Sequence, residues 1–584
     1  MRPRRYLVPT FVLVIATVLS AQPASKGGIH SIQPDALKEW LGYIASDDLQ
    51  GRQIYTEGLG LAAAYIADHL KAWGVKPAGD HGSYFQTVKV VGVKSASRAT
   101  VTVDVNGQSK TFKDGQGVAF AKNMGARQTI TGDQIEFVGY GLQIPAANVD
   151  DYAKTDPKGT IVVWLGANGP STIGPESRRL LTARTRLATD KGAIAVIAPA
   201  SGFGLGRGAA APAPAPTPAA TAAGAVPAAP AGPTPSAQAG TAVTLPDAGR
   251  GQAPAGGGGR GGVADPADFT TVQRYDLPVA PVVTAQDEFF EFLFSGSETT
   301  YAALKEAATK GEPIAPFTLK HVTITVNVEA DYTVVSTRLT RNVVGIIEGS
   351  DARLKDTYVL FGAHYDHVGY SPTPPGAGRG GGVNAGGCTG QTRDTPRPGD
   401  VINNGADDDG SGTVAVMAVA RAYALGPRPK RSLMFVWHSG EESGLYGSRY
   451  MVDYPVVPLD TISAQLNIDM IGRNRCDQAS EANTVYLVGS DRISTELHNV
   501  SEATNAKLPT PLRLDYELND PADPESIYTR SDHYSYASKG IPIVFYTTGL
   551  HKDYHYVTDE VSKIEFPKMA HIAQLVYETG WNLA

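Results

Sequence analysis

The stretch GADDDGSG, Gly405–Gly412, runs directly into TVAVMAVARAYAL, Thr413–Leu425. Three adjacent carboxylates, Asp407, Asp408 and Asp409, stand between glycines ahead of an apolar run that reads as a buried helix. Such carboxylates repel one another and lose solvation when buried, so they belong on a wet surface or around a cation. Other stretches favour the cation: HYDHVG upstream, then GEESG, NIDMIG and GLHKDYHYVTDE downstream. TYVLFGAHYD, RSLMFVWHS, SAQLNIDMIG, TVYLVG and PIVFYT are apolar β-runs separated by helical stretches. Strands buried on both faces with helices between them predict a three-layer α/β/α domain with a mostly parallel central sheet. The polar motifs sit at the C-terminal ends of these strands, where open α/β sheets place ligands.

Each motif has a chemical reading. His364 ends a strand, with Asp366 two residues on, and a metal-bound imidazole needs a partner for its second ring nitrogen. One oxygen of a carboxylate can face each of two cations, so a central acid of GADDD suits a bridge. Glu441 and Glu442 permit a division of labour, one binding metal and the other accepting a proton from the attacking water. Asp469 interrupts an apolar strand and needs a partner. His551, Tyr554 and His555 follow, and a Tyr hydroxyl can stabilise an oxyanion. The set supplies N and O ligands, which suits zinc or a related transition metal.

The ordered series HYD, GADDDGSG, GEESG, NIDMIG, SDH (Ser531–His533) and YH…D resembles the co-catalytic dinuclear zinc aminopeptidase family, which also includes glutamate carboxypeptidases. The early LQGR, Leu49–Arg52, fits as well. The resemblance implies two zinc ions per chain. His364 and Asp469 would hold one, Glu442 and His555 the other, and Asp408 would bridge them. Glu441 would be the general base, Asp366 would orient His364, and Tyr554 would stabilise the oxyanion. It also implies a cis peptide after Asp408. The expected activity is removal of N-terminal residues from peptides. Carboxypeptidase action is the alternative within the family, and glutaminyl cyclisation on a single zinc is the alternative outside it.

The remainder of the 584 residues divides by composition. MRPRRYLVPTFVLVIATVLSAQ has basic residues, a short apolar run and small residues near Ala21. It reads as a signal peptide cleaved near residue 21, hence an exported chain with no later membrane span. Removing its three arginines takes the formal net charge from −7 to about −10, and no nucleic-acid-binding charge pattern is present. Residues 29–125 carry two amphipathic helices and an Asn106-Gly107 hairpin, and read as belonging with the catalytic domain. Residues 126–285 resemble the protease-associated domain in VGYG, DDY, KGTIVV and GAIAVI, which implies a non-catalytic, mainly-β insert. Within it, 202–268 is Ala, Pro and Gly rich and reads as a tract unable to fold. Residues 286–340 read as connecting helices and strands, and 341–584 as the catalytic domain. The loop 371–400 is tied at both ends to predicted ligands and must border the site. Cys388 and Cys476 flank site motifs, and in an exported protein they form either one bridge or none.

Overall fold

The computed structural model describes residues 28–144, 147–174, 180–200, 266–371 and 387–584. The expected signal peptide, nearly all of the 202–268 tract and much of the 371–400 loop lie outside the described residues.

The central sheet is parallel in its middle. The His364 strand, Tyr358–His364, is flanked in parallel by Ser432–His438 and Ile462–Ile468, and the latter by Ile543–Thr547. Antiparallel strands border this core, with Ala330–Ile347 on one side and Thr484–Val488 on the other. Alternating side chains of the core strands face opposite layers. Val359, Phe361, Phe435, Trp437, Leu466 and Ile468 pack under Pro34–Ile44, Glu57–Ala72, Gly412–Leu425 and Phe566–Leu583. Leu360, Met434, Val436 and Ile543 pack against Met451 and Val452 of Tyr446–Asp453 and Tyr536 of His533–Ala537. The strands are therefore buried on both faces, which is why their sequences are apolar without alternation. The three layers are those expected. No helix among the described residues is long and apolar enough to cross a membrane.

A second ten-stranded sheet forms a separate body with its own core. Its membership differs from the expected boundaries. The hairpin Thr100–Val105/Gln108–Asp114 forms, but its first strand pairs with Val322–Val328 and joins this sheet, not the catalytic one. Phe317–Leu319 also belongs to it, against Ile135–Phe137. Alternation marked these segments as strands, but their partners lie some two hundred residues away in sequence. The two sheets are joined by a ribbon, Phe85–Ser97 against Ala330–Ile347.

Arg52 of LQGR shows how the early helices anchor the catalytic core. Its side chain is fully buried and donates to the carbonyls of Ile44, Tyr365, Asn404 and Gly405, at 2.6–3.0 Å. Burial pulls the guanidinium down to about 10, against the pull of Asp409, Asp408 and Asp366, so it stays charged at neutral pH. Arg52→Met strands all four carbonyls in a dry setting. It is expected to cost about 3 kcal/mol or more, read as a lower thermal midpoint.

Candidate metal centre

The site lies at the C-terminal ends of the four parallel strands. His364 closes its strand, Glu441 and Glu442 follow Ser432–His438, and Asp469 follows Ile462–Ile468. Asp408 lies in a wide turn, Ala406–Ser411, that leads into the helix Gly412–Leu425, and the Asp408-Asp409 peptide is cis. Gly405 (φ 57°) and Gly412 make this turn possible. A Cβ on Gly405 would lie 2.3 Å from the Asp408 carbonyl oxygen, and one on Gly412 would lie 2.4 Å from Asp409 Oδ1.

The three acids of GADDD have separate tasks. Asp409 is wholly buried and ties three segments by backbone. Its Oδ2 accepts from the His364 N–H at 3.2 Å, and its Oδ1 from Gly412 at 2.8 Å and Met470 at 3.2 Å. Asp407 Oδ1 accepts from the Gly472 N–H at 2.7 Å. Asp559 Oδ2 accepts from the N–H groups of both Asp407 and Asp408, at 3.0 and 3.2 Å. These bonds hold the backbone and leave Asp408's carboxylate to point into the site.

Two donor sets converge on Asp408. His364 Nε2 lies 3.2 Å from Asp408 Oδ1 and 3.6 Å from Asp469 Oδ2. His555 Nε2 lies 3.0 Å from Asp408 Oδ2 and 2.9 Å from Glu442 Oε2. Ligands about 2.0–2.2 Å from a tetrahedral zinc stand roughly 3.3–3.6 Å apart, which the His364 contacts approach while the His555 contacts are tighter; the ligand atoms of His364, Asp408 and Asp469, and those of His367, Asp408 and Glu442, each lie within 4.8 Å of one another. His364 Nε2 and Asp408 Oδ2 are buried without a hydrogen-bond partner, as metal-facing atoms would be. The residues present fit zinc. Asp469 Oδ2 also receives the Ser531 hydroxyl at 2.7 Å, which fixes that carboxylate.

The charge balance points the same way. Burial pushes Glu441 well above the usual carboxylate range, with Glu442 and Asp469 adding to the effect. Burial likewise raises Asp366 to about 7. Burial also acts to raise Asp408, but the His364 and His555 rings outweigh it and hold Asp408 well below that range. Glu442 is lowered to about 2 because His555 and His367 overcome its burial. A buried cluster this rich in carboxylates calls for cations.

Asp366 holds His364 through its backbone carbonyl, which accepts from His364 Nδ1 at 3.1 Å, while its carboxylate oxygen is 3.8 Å away. That carboxylate is engaged by the N–H groups of Gly440, at 2.7 Å, and Glu441, at 3.1 Å, because the loop after His438 folds over it. His367 was missed. Its Nδ1 donates to Glu442 Oε1 at 2.8 Å and its ring lies 5.6 Å from that of His555. The signal was the second histidine of HYDH, three residues beyond His364.

Beside Asp408, Glu441 and Asp469 is a pocket walled by Met470, Ile527, Phe545 and Leu550, with Arg530 and Tyr554 at its polar side. Arg530 Nη2 donates to the Tyr554 hydroxyl oxygen at 3.0 Å, and Arg530 Nη1 to Glu525 Oε2 at 3.0 Å. The Tyr554 ring stacks on His555, with centroids 4.0 Å apart. Cys388 and Cys476 form a disulfide, Cα atoms 5.4 Å apart, that ties the end of the 371–400 loop to the segment after Asp469.

Residues 342–580 match peptidase family M28. Leupeptin-inactivating enzyme 1 of Streptomyces exfoliatus is 32% identical over 148 residues, 25% of this chain and 30% of that protein. A probable leucine aminopeptidase of Arthroderma benhamiae is 30% identical over 189 residues, 31% of this chain and 48% of that protein. The chain thus spans less than half the length of these curated relatives. Among solved structures, an aminopeptidase from Aneurinibacillus sp. strain AM-1 is 16% identical, covers 94% of both chains and has a TM-score of 0.40. With its motifs in family order at the ends of the parallel strands, the region 342–580 is similar to peptidase family M28 over its whole length, a match that covers less than half of the chain.

Proposed function

We propose that this chain is an exported aminopeptidase that uses two zinc ions to hydrolyse the first peptide bond of its substrates. The observation that carries the reading is the convergence of two His/carboxylate pairs on the two oxygens of Asp408, with Glu441 alongside. His364 and Asp469 would hold one ion, Glu442 and His555 the other, with Asp408 between them. Such ions supply Lewis acidity, lowering the pKa of an intervening water towards roughly 7 and polarising the substrate carbonyl.

The chain's own residues do the rest. Glu441, whose proton affinity burial raises, takes the proton of the attacking water and passes it to the leaving nitrogen. Asp366 fixes the backbone of that base. Tyr554 accepts from Arg530, so its own hydroxyl proton is free to point at the developing oxyanion. His367 holds the oxygen of Glu442 that does not face His555. The apolar pocket beside Asp408 fits an apolar N-terminal side chain, in keeping with the leucine aminopeptidases among the relatives. A carboxypeptidase would need a free cation for the substrate carboxylate, and Arg530 is already engaged by Glu525 and Tyr554. Export is supported by the basic-apolar N-terminus and by the disulfide, a bond that persists in oxidising compartments.

A metal count with kinetics on an aminoacyl p-nitroanilide panel tests the proposal. The expected result is about two zinc ions per chain and turnover best on leucine-like residues, lost to a chelator and restored by zinc. Activity confined to N-terminally blocked peptides sinks the aminopeptidase reading. About one zinc with cyclisation of N-terminal glutamine sinks the two-metal reading.

A further inference from the structure

The ribbon joining the two sheets has an open edge near the site. Ala330–Ile347 pairs with Phe85–Ser97 over most of its length. On its other side only Val343–Ile347 is paired, with the strand that leads to Glu441. Among the described residues the stretch before Val343 has no strand partner there.

The backbone directions can be assigned. The Val344 N–H donates to the Tyr84 carbonyl, so this residue turns its backbone toward the Phe85–Ser97 side. The Arg341 carbonyl accepts the Tyr365 hydroxyl from the opposite side. Thr337 and Leu339 therefore present their backbone groups at the same edge, because these directions alternate along a strand, while the Arg341 carbonyl is already taken by Tyr365. A register shift between Val334 and Ser336 ends the regular run, and Leu339 is 58% exposed.

This edge overlooks the catalytic side. Sheet order sets it on the side of the strands that end in the metal centre. The strand runs antiparallel to Ser432–His438 and so continues past that strand's C-terminal end. The Thr340 and Ser439 hydroxyls are hydrogen-bonded at 2.5 Å, two residues before Glu441. A cleft of about 600 Å³ borders it, lined by Leu339, Thr340, Arg341 and Tyr365, by Tyr55 and Leu59, and on the paired side of the ribbon by Phe85 and Thr87. Tyr365 directly follows His364.

We propose that Thr337–Arg341 takes up the extended C-terminal portion of a peptide substrate as an added β-strand, which rests on the aminopeptidase reading. Main-chain pairing gives affinity with little demand on side chains, as suits a peptidase that meets many sequences. Arg338, stacked 3.6 Å over Tyr55, and Arg341 add cations that complement the substrate's terminal carboxylate.

The test uses the zinc-loaded mature protein on leucine p-nitroanilide and on leucyl peptides of two to six residues. Two or three added hydrogen bonds predict a KM about ten-fold lower for the hexapeptide than for the dipeptide. Methylating one backbone nitrogen beyond the third residue abolishes that gain. Leu339→Pro deletes an N–H at an edge where proline is tolerated. It is expected to lower kcat/KM for the hexapeptide about ten-fold more than for leucine p-nitroanilide. Leu339→Thr keeps the N–H and restores the parental ratio. Equal KM for dipeptide and hexapeptide, or equal losses on both substrates in Leu339→Pro, overturns the proposal. So does an effect of Leu339→Pro confined to the oligomeric state in light scattering, which makes a second copy the occupant. Calorimetric binding to Glu441→Gln separates this proposal from the aminopeptidase reading. Length-dependent hexapeptide binding that Leu339→Pro abolishes in that background supports the edge whether or not any leucyl substrate is turned over.

Discussion

Glu441→Gln is expected to lower kcat by about 10³-fold or more while the zinc content stays at the parental value. Glutamine matches glutamate in size and keeps the backbone N–H that Asp366 accepts, so the loop retains its course. What it lacks is an oxygen able to take up a proton. Glu441 lies at the edge of the donor set, its Oε2 4.0 Å from His364 Nε2, whereas the proposed ligands lie within 3.6 Å of their neighbours. The measurement is single-turnover kinetics alongside metal analysis. Near-parental kcat removes Glu441 as the base. Loss of one zinc ion makes it a ligand instead.

Asp408→Asn is expected to remove metal first and activity as a consequence. An amide offers one oxygen where two are needed, and it points an NH₂ group at either His364 or His555. Zinc content is expected to fall from about two ions to one or fewer per chain. A second readout is thermal. A ligand that binds only the folded state stabilises it by about 4 kcal/mol at a thousand times its Kd, so chelation lowers the parental melting temperature. The variant's melting temperature is expected to change far less on chelation. Equal zinc content and equal chelation shifts in the two proteins remove Asp408 as the bridge.

Much of the catalytic layer was legible because its chemistry and its topology coincide. His364, Glu441, Glu442 and Asp469 each follow an apolar strand, and a polar group at a strand end stands out against such a run. Asp366 was harder to read. Sequence shows a carboxylate two residues from a histidine, but not that the intervening chain brings its carbonyl to the ring and its carboxylate to Gly440. His367 was masked by its neighbour, since HYDH offers two imidazoles and only three dimensions show which faces Glu442 Oε1. The pairing of Thr100–Val105 with Val322–Val328 left no local trace, because alternation identifies a strand and not its partner. The cysteine pair was undecided for the same reason, since a disulfide depends on Cα separation.

The ribbon has a consequence for how this protein can be edited. Its two strands carry the chain out to the second body and back, and their far ends, Ser97 and Ala330, are directly opposite in the ladder. Directly opposed residues on antiparallel strands stand about 4.5–5.5 Å apart, a gap that a two-residue hairpin closes. In genetic terms the outer body is a cassette. Excision between codons 97 and 330 would also remove Phe269–Thr271, which pairs along Phe85–Ser97 at the edge of the catalytic sheet, so an exchanged cassette has to keep or replace that strand.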